Sequence, residues 1–343
     1  MSGRHRRRVQ VLVGILMIPV SLVPFALYFR NTAEGRLLWT RATLRFFPPH
    51  LPGVRAAAPS GPRPYGDGVA VLVYHGIGST TDAEGRFSLS VSRFAEQLAT
   101  LRAAGMHFVT ARQLATWRRR GQAPPTNAVM ITFDDGRAEA MMLADPLLRA
   151  ARARATMFVI GDTLDDPGIF YASADDLRAY ARSGRWDLES HTAGLHNTQD
   201  TELGPLPLLT SRSPGESLDE YVRRVDRDLD REDARIRDLT GRAPVAFAYP
   251  FGAYGRDRSN DVRIRAALRL VIARHYAVAF QQDDQATVPL VRCGDPPLEL
   301  RRLDVAPWTG AQLLARIARM QASTWPAPTC PSAPPSALAG AGG

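Results

Sequence analysis

Between Val69 and Val305, short β-rich runs alternate with longer runs of helical periodicity. Val69 to Tyr74 precedes a helical stretch from Val91 to Ala104, Ala128 to Phe133 precedes Glu139 to Ala151, and Ala155 to Ile160 precedes Ala174 to Ser183. The alternation continues through a strand at Trp186 to Glu189, a helix from Leu218 to Leu239, a strand at Ala246 to Tyr249 and a helix from Asp261 to His275. Two further strands are expected at Ala277 to Phe280 and Leu303 to Val305. Strand-helix alternation of this kind predicts a mainly parallel sheet with helices packed outside it, open or closed into a barrel. Asn197 to Ser217 interrupts the rhythm with Pro, Gly, Ser and Thr and no clear period, which predicts a long loop; loops of that length in compact domains are functional or disordered.

The ends of the chain follow other patterns. Arg4 to Arg8 is strongly basic, and Val9 to Phe29 then runs for about 21 residues without a charge, enough for a helix to span a bilayer. The run is longer than the usual core of a cleavable signal peptide, and no clear Ala-x-Ala site follows it. Residues 1–8 are therefore expected as a cytoplasmic basic tail and 9–29 as a transmembrane anchor. The positive-inside rule sends everything after Arg30 across the membrane, to the extracellular or periplasmic side. Residues 30–68 are expected as a linker, densest in Pro, Gly and Ala from Phe47 onward. The folded domain is expected over 69–322, and the Pro/Ala/Gly-rich segment 323–343 as a disordered tail.

Composition adds exclusions. The net charge of +9 comes without a single lysine, and arginines interleave with aspartates from Arg223 to Arg237, the pattern of a solvated helix face rather than a nucleic-acid stripe. Two cysteines, Cys293 and Cys330, rule out a zinc-finger arrangement and leave open a disulfide or two free thiols. No Gly-x-Ser-x-Gly elbow, P-loop or Gly-x-Gly-x-x-Gly follows a strand, so nucleophilic-serine and nucleotide chemistry have no support.

The candidate chemistry sits at strand ends. Ala128 to Gly136 is an apolar strand closing on Asp134, Asp135 and Gly136, and Trp186 to His196 is another that closes on His191 and His196. In parallel α/β domains, sites assemble at the C-terminal ends of strands. A turn with Asp capping the next helix would explain Asp-Gly by itself. Two histidines from one loop beside a carboxylate from another strand make a three-ligand metal site with open positions, suited to zinc, cobalt, nickel or iron.

These residues resemble the polysaccharide deacetylase family, carbohydrate esterase family 4, whose NodB-homology domain is a distorted (β/α) barrel. Thr132-Phe-Asp-Asp-Gly136 is similar to its first motif and Ser190-His-Thr-Ala-Gly-Leu-His196 to its second. The resemblance implies Asp134 as general base and Asp135, His191 and His196 as ligands of one divalent metal. The five-residue histidine spacing, Val73-Tyr-His-Gly76 and Phe87 to Phe94 resemble the branch that removes acetyl groups from exported poly-N-acetylglucosamine. Peptidoglycan, chitin oligomers and a catalytically inactive sugar-binding role are the alternatives.

Two departures are visible. Phe247-Ala-Tyr-Pro-Phe-Gly252 resembles the third motif, but Ala248 stands where many relatives carry an arginine that orients the base. A late Leu-x-x-His motif is not evident after Gln285. His75 is a candidate acid or substrate contact, with a structural histidine as the alternative. Tyr74, Tyr249, Pro250 and Phe251 are candidates for the sugar groove, with core packing as the alternative for Tyr74. The expected partners are an N-acetylated polysaccharide, the bilayer through residues 9–29, and a membrane glycosyltransferase; no nucleic acid is expected.

Overall fold

The computed structural model describes residues 32–53, 63–78, 88–282, 288–305 and 307–323. The expected basic tail, anchor 9–29 and all but the first residue of the expected C-terminal tail lie outside them. Among the described residues no helix is long and apolar enough to cross a membrane.

The chain divides into two units, residues 1–48 and 49–343. In the first, part of the expected linker is an α-helix, α1 (Ala33–Leu44), which ends before the stretch dense in Pro, Gly and Ala that starts at Phe47. The reason is local: the Thr32 side chain accepts from the Gly35 N–H, and Glu34 lies in the first turn. Proline enters only at Pro48.

The second unit opens with β1 (Gly68–Tyr74), which is followed by β2 (Gly76–Ile77), β3 (Ser88–Leu89), α2 (Val91–Ala103), β4 (His107–Val109), α3 (Ala111–Arg120) and β5 (Ala128–Phe133). Next come α4 (Ala138–Ala151), β6 (Ala155–Val159), α5 (Ala174–Arg182), β7 (Trp186–Ser190), β8 (Thr198–Thr201), β9 (Gly204–Pro207) and α6 (Leu218–Thr240). The unit ends with β10 (Ala246–Ala248), α7 (Ile264–His275), β11 (Val278–Gln282), β12 (Val291–Arg292), β13 (Leu300–Asp304) and α8 (Gly310–Ala322). Helices α3 and α8 are absent from the sequence expectation. Both start with a capping box, Thr110 with Gln113 and Thr309 with Gln312, a signal available in the sequence.

Seven strands close a ring in the order β1, β13, β11, β10, β7, β6, β5 and back to β1, and every pair in it is parallel. The barrel is uneven. β7 and β10 share one residue pair, Ser190 with Phe247, and the gap below it is bridged by a side chain: Glu189 Oε2 accepts the N–H groups of Val245 and Ala246 at 2.6 and 2.9 Å. Arg112 at the start of α3 completes that carboxylate's partners at 3.1 Å. β5 is likewise shared on one flank, by β4 at residues 128–130 and β6 at 132–133.

Val69, Val71, Met130, Phe158, Ala246, Ala248, Phe280 and Leu300, drawn from six of these strands, form one buried cluster. Strand alternation puts Asp134 on the same face as Met130, and Arg302 on the same face as Leu300. A second cluster joins Tyr221, Val225 and Leu229 of α6 to Leu268, Val271 and Ile272 of α7. The segment Asn197 to Ser217 is not a plain loop: β8 and β9 form an antiparallel hairpin around Glu202 and Leu203, and Leu208–Thr210 is a turn of 3-10 helix. Two of its three prolines, Pro205 and Pro207, lie in an isolated two-stranded ribbon where missing donors are tolerated. Cys293 is disulfide-bonded, and Cys330 lies outside the described residues.

One polar residue of α6 sits badly in this packing. Glu232 is fully buried, both its carboxyl oxygens lack a hydrogen-bond partner, and a Cβ at Gly161 would lie 1.9 Å from its Oε2. Burial, reinforced by Asp228, pushes the group well above its ordinary value of 4.5, so it stays protonated in the fold. The folded state then keeps a proton that the unfolded chain releases, and this group's contribution to stability falls as pH rises above about 4.5, by at most about 1.4 kcal/mol per pH unit. Glu232→Gln should remove that slope: the stability of the variant relative to wild type, from urea unfolding at pH 5.5 and pH 8, should be larger at pH 8. An equal difference at both values would count against a buried neutral acid.

Candidate active site

Where β5, β7 and β10 end, the backbone turns through conformations that side-chain-bearing residues rarely adopt. Among the described residues, three of the five non-glycine residues with positive φ are here: Asp135 at 75°, Thr192 at 73° and Phe251 at 57°. For Thr192, β-branched, this is a strained position, and it persists because its surroundings hold it. Asp135 follows Asp134 directly, so the reversal lets the two carboxyls take different surroundings.

His191 is buried, and its Nδ1 lies 2.8 Å from the Ala248 carbonyl oxygen. A carbonyl only accepts, so Nδ1 carries the proton and the Nε2 lone pair is directed away from it. Burial pushes the imidazole down to about 4, against the opposing pull of Asp134, so the ring is neutral at physiological pH. Nε2 of His191 lies 3.7 Å and Nε2 of His196 3.6 Å from Asp135 Oδ1, too far for hydrogen bonds. One atom from each of these three residues falls within 4.8 Å of the others. One oxygen and two imidazole nitrogens converging without bonding to each other fit a divalent transition ion with positions left open. The other oxygen of Asp135, Oδ2, accepts from Arg137 Nε at 3.1 Å. Burial pushes Asp135 up, but His75, His191, His196 and Arg137 together hold it below the ordinary carboxyl value.

Asp134 has a different partner. Arg302, reaching across from β13, donates from both terminal nitrogens to its two oxygens, each at 2.7 Å, and both side chains are buried. Arg302 Nη1 also reaches Thr132 Oγ1 at 3.3 Å, and that hydroxyl in turn donates to the Leu72 carbonyl. Burial alone would raise Asp134; the Arg302 charge, then His191 and the forked hydrogen bonds more than offset it, and the group sits well below the usual carboxylate range. Asp134 is thus an ionised base held in place, and His191 Nε2 lies 4.0 Å from it.

The arginine missing at Ala248 is therefore replaced from another strand, one that sequence motifs did not suggest. A signal existed: in Leu300-Arg-Arg-Leu-Asp304 the alternation puts Arg302 on the apolar face, where a cation requires a buried partner. Ala248 keeps a role through its backbone.

Of the remaining candidates, His75 ends β1 close enough to lower both aspartates. Tyr74 does not face a groove. It is buried between Phe94 and Phe133, and its hydroxyl bonds to Gln97 Oε1 at 3.0 Å. Tyr249 is likewise interior, donating to the Leu298 carbonyl at 3.0 Å, and Pro250 is buried beside it. These three are corrected to packing residues, since a covered ring offers a sugar no surface. Phe251 is 42% exposed, with its ring 4.7 Å from that of His196. On the Asp135 side, Phe170 is 40% exposed and lies over the Arg137 guanidinium at 5.0 Å.

This barrel has counterparts among known proteins. Residues 121–268 match the family model for polysaccharide deacetylase. The chain is 21% identical over 216 residues to the poly-beta-1,6-N-acetyl-D-glucosamine N-deacetylase of Staphylococcus aureus, covering 62% of this chain and 70% of that protein. It is 26% identical over 207 residues to the protein of the same name from Escherichia coli, covering 54% of this chain and 31% of that protein. Among solved structures, IcaB from Ammonifex degensii is similar at 25% identity and a TM-score of 0.59, covering 74% of this chain and 98% of that one. A de-N-acetylase from Aggregatibacter actinomycetemcomitans shares the fold at 23% identity and a TM-score of 0.58, covering 71% and 97%.

The Arg302 fork gives a direct test. Arg302→Met leaves the Asp134 carboxylate buried without its partner and should destabilise the protein by about 3–5 kcal/mol in urea unfolding. Arg302→Lys, which keeps the charge but loses the fork, should recover part of that stability and little of the activity. Full activity in the lysine variant would show that charge alone suffices.

Proposed function

We propose that this domain removes N-acetyl groups from N-acetylglucosamine units of an exported polysaccharide, of the poly-β-1,6-N-acetyl-D-glucosamine type, using one divalent metal held by Asp135, His191 and His196. The observation that carries this reading is the pairing of two unlike sites on one strand end: Asp135 directed at two imidazole nitrogens and Asp134 gripped by Arg302. The names of the Staphylococcus aureus and Escherichia coli relatives support the polymer.

A bound divalent ion would polarise the acetyl carbonyl and make a water more acidic. The chain supplies the rest. Asp134, ionised and fixed by the Arg302 fork, accepts the proton of the attacking water. His191, kept neutral and oriented through the Ala248 carbonyl, holds its lone pair on the reacting side. His75, at the adjacent strand end, is positioned to protonate the departing sugar amine. Phe251, beside His196, and Phe170, beside Arg137, are partly exposed rings that could pack against sugars next to the one being cleaved. The products are acetate and a polymer bearing free amines. The reaction takes place outside the cytoplasm, with residues 9–29 as the anchor and a membrane glycosyltransferase as the source of polymer. An inactive sugar-binding role rests on the missing arginine and the missing Leu-x-x-His motif, and the Arg302 fork counts against the first of these.

The test is acetate release from poly-N-acetylglucosamine, peptidoglycan and chitin oligomers before and after chelation. Chelation should abolish release from poly-N-acetylglucosamine, and refilling with zinc, cobalt, nickel or iron should restore it. Asp134→Asn should lower kcat by about 10²–10⁴-fold with metal content unchanged. Activity that survives chelation would overturn the metal-assisted reading, and activity confined to peptidoglycan the choice of polymer.

A further inference from the structure

The two histidine ligands are not fixed in the same way. His191 is tied into the barrel: its backbone N–H donates to the Val159 carbonyl at 2.9 Å, and its ring is set by the Ala248 carbonyl at 2.8 Å. His196 lies on the loop beyond it, its side chain 20% exposed, and where its backbone sits depends on residues 192–195. That short segment passes through the left-handed turn at Thr192 and then meets helix α6.

The meeting point is Asp228. Its carboxylate, buried on α6, accepts the backbone N–H of Ala193 at 2.9 Å with one oxygen and that of Gly194 at 2.8 Å with the other. Arg231, one turn along, donates to the same carboxylate at 2.9 Å. The opposite edges of these peptides are held as well: the Thr192 carbonyl accepts from Gly161 N–H at 3.0 Å and the Ala193 carbonyl from Asp162 N–H at 2.9 Å. A carboxylate with two oxygens is the side chain that can hold two successive N–H groups at once; an amide would present a donor to one of them. Hydrogen bonds of this kind to an ionised acceptor are also the stronger class.

We infer that Asp228 is a positioning residue of the metal site, fixing the Ala193-Gly194 peptides so that His196 is presented to the ion. The inference rests on the metal-site reading given above. It assigns the two ligands different dependencies: His196 on α6, and His191 on the barrel. Asp228 touches neither the ion nor the substrate.

Cobalt binding tests this, read from the Co²⁺ absorption spectrum and from competition with a chelator, on the full chain. Asp228→Asn should weaken Co²⁺ binding about 10–100-fold, the range for residues that orient ligands. Its Co²⁺ spectrum should move toward that of His196→Ala. In a His196→Ala background Asp228→Asn should add nothing further, whereas its effect should be fully additive to His191→Ala. A residue with only a structural role would weaken all three backgrounds alike, and that outcome, or unchanged Co²⁺ affinity, overturns the inference. If Asp228→Asn does not fold, Gly194→Ala serves instead: its Cβ would meet Asp162 Oδ2 at 2.4 Å and press on the same peptides while leaving the carboxylate intact. The same dependence on His196 is expected of it, and additivity there would overturn the inference too. Wild type that fails to bind Co²⁺ would sink the metal-site reading and this inference together; intact wild-type binding with an unaffected variant would sink only the inference.

Discussion

The contact on which the catalytic end of the barrel turns is the buried fork between Arg302 and Asp134. A carboxylate carried on the inward face of an apolar strand is expensive to keep ionised, and removal from water would push it toward its neutral form, useless as a base. Placing a guanidinium within 2.7 Å of both oxygens reverses that tendency and fixes the direction in which the free lone pairs point. It also links β5 to β13, which flank β1 on either side in the closed ring. The contact that keeps Asp134 charged thus also ties together the two strands on either side of β1.

A division of labour between side chain and backbone runs through the rest of the site. His191 takes its orientation from a carbonyl of β10, so Ala248 contributes although its side chain offers no chemistry. Glu189, one residue before the end of β7, accepts the N–H groups that β10 leaves unpaired where the two strands separate. Asp228 holds the peptides between the histidines from outside the barrel. In each case a gap in strand pairing is filled by a polar group from a neighbouring element, so irregular geometry is kept without orphaned donors. The residues with left-handed backbone, Asp135, Thr192 and Phe251, sit at the same strand ends.

Glu232 shows the opposite case. It lies one turn from Asp228 on the same helix face and finds no hydrogen-bond partner, so burial resolves its charge by protonation rather than by pairing. Burial raises both acids, four residues apart on α6; at Asp228 two backbone N–H groups and Arg231 oppose that rise, while no hydrogen bond does so at Glu232.

The sequence by itself determined the alternation of strands and helices, and it placed two aspartates and two histidines at strand ends, because both features are local: period and run length appear within a dozen residues. It also marked α3 and α8, through capping boxes at Thr110 and Thr309. Tertiary structure alone decided that the sheet closes, that Arg302 reaches Asp134 across 168 positions of sequence, and that Tyr74 and Tyr249 are covered while Phe251 is not. Those outcomes depend on which strand lies beside which and on what packs over a ring. Such facts belong to pairs of distant residues, and no single stretch of chain carries them.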